Sequence, residues 1–145
     1  MQSLSRRLLV LDTWVLATVA TYGEDWIKAT NVLTRIVQNC HSIVFDYHDA
    51  VMHEYEPYIS RERWLGKWYK EMVKLGKIQF RPDNDVVLTA HVTDDDRKFV
   101  KLAMSLPNNR RVIVTGDSDF TRLKKHPDFV SRGIEVWDLD ECSNL

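Results

Sequence analysis

Cysteine is scarce in this chain of 145 residues: Cys40 and Cys142 lie far apart with no Cys-x-x-Cys spacing. That spacing indicates neither a zinc site nor a disulfide framework, and both residues are expected as reduced thiols. A long hydrophobic run is missing as well. The longest apolar stretch near the start, Leu8 to Ala20, is interrupted by Asp12 and is too short to span a bilayer as a continuous helix. The same interruption, without a plausible cleavage site, argues against a secretory signal, so a cytoplasmic protein with no membrane contact is expected. Nor is there a surplus of one charge. A net charge of -1 argues against a general electrostatic grip on a long nucleic-acid duplex, and any such contact must use a local basic patch. Internal repeats, low-complexity tracts and linkers are also lacking.

What remains is the balance of a soluble globular protein, with 44% apolar and 28% charged residues. The length suits a single domain over residues 1–145. Arg7 to Leu11 reads as a buried strand that ends in Asp12 and feeds a helix, TWVLATVATY. Glu24 to Asn39 has helical spacing, and Ser42 to Phe45 is a second apolar strand. Two helices are expected over His48–Ile59 and Glu62–Leu75, separated near Pro57 and Ser60. IQF and VVLTAHV read as short strands around the turn-rich RPDND. Asp95 to Leu106 is helical, Pro107 to Asn109 a turn and RVIVT a strand; Asp117 opens a helix, and Ile134 to Leu139 closes as a strand. Alternation of this kind implies an α/β fold, a three-layer α/β/α sandwich around a mainly parallel sheet.

In open parallel sheets the working cleft lies beyond the carboxyl ends of the strands, where strand order reverses. Asp12 and Asp117 both end strands in that manner, although Asp is also a common helix N-cap. On the helix after His48, the residues Val51, Tyr55, Tyr58 and Ile59 define a buried face, and Glu54 lies on its border. An acid there needs a partner, either a metal or a basic side chain. The triple acid Asp94, Asp95, Asp96 opens a helix whose buried residues are Phe99, Val100, Ala103 and Leu106. Asp96 shares their face, Asp94 points away and Asp95 lies between. Capping and the helix dipole account for one or two of the three. Carboxylates brought together repel one another unless cations neutralise them, and hard oxygen ligands select magnesium or manganese over zinc. The chemistry implied is phosphodiester hydrolysis.

These segments resemble the PIN-domain family of metal-dependent ribonucleases, whose VapC-type members are toxins of toxin-antitoxin pairs. LLVLDTWVL is similar to the family's opening strand with its first acid, VMHEYEPYI to the helix with its second, DDDRKFVKLA to the third-acid segment and VIVTGDSDF to the fourth. Together they run from Leu8 to Phe120. The resemblance implies that Asp12, Glu54, Asp96 and Asp117 bind Mg2+ or Mn2+, with Asp119 as an accessory acid and Asp95 as the alternative to Asp96. It also implies RNA as substrate, an antitoxin as partner, and strands ending in Asp12 and Asp117 that lie side by side. One departure is Trp14, which stands where the family usually has a small polar residue.

Thr13 and Thr115 flank the expected cleft. They are candidates to touch substrate or to orient water or an acid, unless they only cap local backbone. Arg63, Lys67, Lys70, Lys74 and Lys77 form one side of a helix; Lys67, Lys70 and Lys74 could track an RNA backbone or simply be a solvated face. Trp64, Trp68, Met72 and Leu75 form another side, read as core or as a homodimer surface. His48 and His53 share no helical face, which argues against a zinc protease. The competing readings are a PIN-like scaffold that binds RNA or protein without cutting, and a nuclease acting on structured DNA.

Overall fold

The computed structural model describes residues 6–145. Five short strands carry the apolar runs: β1 (Leu8–Leu11), β2 (Ser42–Asp46), β3 (Ile78–Arg81), β4 (Arg111–Val114) and β5 (Ile134–Trp137). Between them run α1 (Thr13–Ala20), α2 (Trp26–Gln38), α3 (Ala50–Arg61), α4 (Arg63–Lys74), α5 (Asp94–Ala103), α6 (Ser118–Thr121) and α7 (Pro127–Val130). All four strand pairings are parallel, and the order across the sheet is β3-β2-β1-β4-β5. Helices flank the sheet in a three-layer α/β/α sandwich. None of the helices described is long and apolar enough to cross a membrane.

Near-continuous burial of β1, β2 and β4 explains their unbroken apolar runs, because a parallel strand covered on both faces has no solvent side to make polar. Helices α1 to α4 pack on one another, while α5 lies against β1, β2 and β4. The chain moves outward from β1 to β3, then returns to place β4 beside β1. Strand order therefore reverses between β1 and β4, and the crevice at their carboxyl ends is the natural ligand position.

Two boundaries differ from the sequence expectation. The helix expected from His48 begins at Ala50, because Asp46 takes the N–H groups of His48, Ala50 and Val51 into a turn first. It then continues through Pro57 to Arg61, and the break falls at Glu62, whose carboxylate accepts the Leu65 N–H at 2.6 Å and caps α4. The strand expected within VVLTAHV does not form. Side chains satisfy that segment's backbone instead of a neighbouring strand: Arg132 donates to the Val87 carbonyl at 2.8 Å, Arg122 to that of His91 at 2.8 Å, and Asp128 accepts the N–H groups of Thr89 and Ala90. Val87 itself is 86% exposed. The tryptophan stripe of α4 divides: Trp68 and Met72 are buried, with the Trp68 indole N–H donating to the Leu33 carbonyl at 2.8 Å, whereas Trp64 and Leu75 remain exposed.

Candidate active site

Asp12 follows β1 directly and occupies the N-cap position of α1, yet its side chain makes no capping hydrogen bond. Its carboxylate accepts instead from the Thr115 hydroxyl at 2.7 Å, across the gap to the strand-end of β4. Thr115 is wholly buried, so its place is to hold an acid, and contact with substrate does not fit it. The same hydroxyl oxygen accepts the Asp117 N–H at 3.0 Å. A single side chain thus ties the first acid to the backbone of the fourth. The Asp117 carboxylate accepts the Asp119 N–H at 3.0 Å and caps α6. Of the two strand-end acids, one caps its helix and the other does not.

Asp12 is only 4% exposed. Burial pushes its pKa from 3.8 up to about 7; the Thr115 hydroxyl and the nearby Trp14 N–H pull it down, while the charges of Asp96 and Asp117 push it up. No salt bridge reaches Asp12, Asp96 or Asp117 among the described residues. Asp96 is half-buried and likewise raised, first by burial, against the pull of Thr93, and then by Asp117, Asp119 and Asp95. Asp94 and Asp95 are exposed in the first turn of α5, where negative charge suits the helix dipole. Between the two alternatives for the third acid, Asp96 is the one whose charge bears on Asp12. Asp119 is exposed and lines a cleft of about 180 Å³ together with Asp96, Thr93, His91 and Arg122.

Glu54 has a different setting. It is half-buried on α3, and Lys98 of α5 donates to its carboxylate at 2.9 Å. The acid at the border of the apolar face has a basic partner. Tyr55, its neighbour, is fully buried and donates its hydroxyl to the Leu11 carbonyl, which pins α3 over the end of β1. Burial raises the Tyr55 pKa well above its ordinary value, and the charges of Asp12 and Glu54 both add to this. Glu54 therefore stands apart from the unpaired acids, its carboxylate taken up by Lys98.

Trp14 explains its own departure from the expected small polar residue. Its ring lies against Gly116, where an added Cβ would come within 2.4 Å of it. Packing of Trp14 on Gly116 fixes the loop that bears Asp12 against the loop that bears Asp117. Thr13 leaves its hydroxyl oxygen buried and without a hydrogen-bond partner among the described residues. Lys67, Lys70 and Lys74 are exposed on α4; Lys67 and Lys70 line the groove between α3 and α4, and none of the three lines the cleft of Asp96 and Asp119.

Three further residues went unseen in the sequence. Arg122 and His91 stand beside the acids only because α6 and the irregular 82–93 segment meet there, which no local pattern announces. Asp46 ends β2 as Asp12 ends β1, and that signal was present in SIVFD.

The donor set fits magnesium or manganese in kind: hard carboxylate oxygens and surplus negative charge. Among the described residues, however, no three His, Cys, Asp or Glu side chains are drawn close enough to form a ready ligand set for one ion. A scan against family models finds no match, and searches of curated proteins and of solved structures also return none.

Proposed function

We propose that this chain is a magnesium- or manganese-dependent endoribonuclease that hydrolyses RNA phosphodiester bonds, in the manner of the PIN-domain proteins it resembles. One observation carries the reading: Asp12, Asp96 and Asp117 come from three separate segments to one end of the sheet and repel one another without a basic partner among the described residues. Natural folds rarely keep a buried carboxylate uncompensated unless something binds it. Asp12, Asp96 and Asp117 would hold the ion, with the Thr115 hydroxyl fixing the orientation of Asp12. Magnesium or manganese there would neutralise the acids and supply the water activation and phosphoryl clamping that the hydrolysis needs.

Glu54 would serve as a fourth acid only after release from Lys98. That ion pair favours a second reading, a scaffold of the same fold that binds RNA or protein without cutting it. By the family resemblance the activity would be held in check by an antitoxin, in the cytoplasm, and the exposed Trp64, Val73 and Leu75 on and just after α4 would support a homodimer. The test is to incubate the purified chain with single-stranded RNA and manganese. Cleavage that stops with a chelator and is lost in Asp12→Asn and Asp117→Asn supports the nuclease. Intact RNA under all these conditions leaves the scaffold, and undiminished cleavage by both variants defeats the site. A structured DNA offered in parallel distinguishes the remaining nuclease alternative.

A further inference from the structure

Arg122 follows α6 as its C-cap residue and shares the 180 Å³ cleft with Asp96 and Asp119. An arginine set beside two carboxylates would ordinarily pair with one of them. This one does not: among the described residues Arg122 makes no salt bridge, and its recorded side-chain hydrogen bond is a donation from Nη2 to the His91 carbonyl at 2.8 Å. That bond anchors the guanidinium against the irregular 82–93 segment and leaves other N–H groups of the fork unused. The lysines of α4 do not line this cleft, and of the residues that do, Arg122 carries the fixed positive charge.

A guanidinium held at one nitrogen keeps the planar donor geometry that matches two oxygens of a phosphate. The neighbouring acids would repel a bare phosphodiester, so a cation fixed at the rim is what lets a polyanion approach them. We propose that Arg122 binds a backbone phosphate of a single RNA strand where that strand enters the acidic site. The inference rests on the nuclease reading and adds to it the contact that positions the substrate. A single strand suits the place, because a cleft of this size admits one backbone, and the near-neutral chain offers no broad basic face for a duplex.

The test is binding, with no cleavage in the readout. A short, fluorescently labelled single-stranded oligoribonucleotide is titrated with the full-length Asp12→Asn chain in magnesium over a series of potassium chloride concentrations. Arg122→Gln removes the charge and keeps a polar side chain, although its amide stops two bonds short of the Nη2 that reaches the His91 carbonyl. It is expected to weaken binding about ten-fold and to flatten the slope of log affinity against log salt by about 0.7, the value for one single-strand phosphate contact. Arg122→Lys, which keeps the charge but loses the fork, should retain the slope and recover part of the affinity. A Gln variant with unchanged affinity and slope overturns the Arg122 contact alone. If the Asp12→Asn chain binds no RNA and the wild-type chain cuts none, the nuclease reading falls and the Arg122 contact with it.

Discussion

Two aspartates end adjacent parallel strands, β1 and β2, and each is 4% exposed, yet they are opposite in character. Asp46 accepts three backbone N–H groups, from His48 at 3.1 Å, Ala50 at 3.0 Å and Val51 at 3.0 Å. Burial alone would raise its pKa, but these donors outweigh burial and hold it below the ordinary value. Asp12 has one side-chain donor, Thr115, so burial is not outweighed and, with smaller pushes from the charges of Asp96 and Asp117, raises its pKa to about 7. The difference arises in the next three residues. After Asp46 the chain turns back through Asp49 in a left-handed conformation, φ 61°, and wraps its N–H groups around the carboxylate. After Asp12 the helix begins at once at Thr13, and the carboxylate is left to face the neighbouring strand-end. Apolar strand followed by Asp is therefore not a site signature by itself; what matters is whether the following turn closes on the acid.

The largest effect expected from this contrast is in stability against pH. The Asp12 carboxyl keeps its proton to about pH 7 when folded and releases it near 3.8 when unfolded. Between those values the folded state binds more protons, so stability falls as pH rises through the window, by about 4 kcal/mol when the shift is converted at 1.36 kcal/mol per unit. Asp46 acts in the reverse sense: its lowered pKa contributes stability above the ordinary carboxylate value, which is lost as pH falls through the folded value. Urea unfolding of the metal-free chain should therefore show a midpoint that rises from pH 8 to pH 5 and drops in stronger acid. Asp12→Asn should flatten the first limb and Asp46→Asn the second. A chain equally stable at pH 8 and pH 5 would remove the uncompensated carboxylate.

Next in size is the effect of the same two substitutions on cleavage. Asp12→Asn is expected to lower the rate of manganese-dependent RNA cleavage by about 10²–10³-fold, the usual cost of removing one electrostatic group aimed at the reacting centre. Its fold should be no weaker, since the neutral amide relieves repulsion from Asp96 and Asp117. Asp46→Asn should do the opposite, with cleavage per folded molecule retained and stability reduced by about 1–3 kcal/mol as backbone donors lose a carboxylate oxygen. Equal loss of cleavage in both variants would erase the distinction between a structural and a functional strand-end acid.

Much of this arrangement was legible in the chain. Unbroken apolar runs at Leu8, Ser42 and Arg111, each followed by helical spacing, announce a parallel sheet, and the face of Phe99, Val100 and Ala103 singles out Asp96 among three consecutive acids. The partners of those acids were legible only in part. Thr115 was a candidate to orient an acid, and it reaches Asp12 across 103 residues, whereas Lys98, two residues after Asp96, reaches Glu54, 44 residues earlier, with no local sign of it. Tertiary pairing of this kind leaves no local period. VVLTAHV misled for a related reason: its β-forming composition was overridden when arginine and aspartate side chains from other segments took up its backbone groups.

Thr115→Val sharpens the comparison at smaller amplitude. The substitution keeps shape but removes the one side-chain donor to Asp12 and the acceptor of the Asp117 N–H. A loss of about 1–2 kcal/mol is expected from the broken hydrogen bonds. Without the hydroxyl the Asp12 carboxyl should titrate higher still, so the falling limb of the stability profile should move to higher pH. Thr115→Ser, which restores the hydroxyl, should bring the limb back. A Val variant whose pH profile matches the wild type would show that Thr115 only fills space.

The smallest effect separates Glu54 from the other acids. Its ion pair with Lys98 has side chains about a quarter exposed, 27% and 23%, and pairs in such settings contribute about 0.2–1 kcal/mol. Lys98→Met should therefore change folding stability little. Its informative readout is the manganese concentration at half-maximal cleavage. If Glu54 joins Asp12, Asp96 and Asp117 around the ion, that metal must compete with Lys98, and removing the lysine lowers the half-maximal concentration roughly 1.4- to five-fold, the same 0.2–1 kcal/mol expressed as an equilibrium. If the half-maximal concentration stays fixed in Lys98→Met, and Glu54→Gln also leaves it unmoved, Glu54 belongs to the scaffold side of the contrast with Asp46, and the site has three acids.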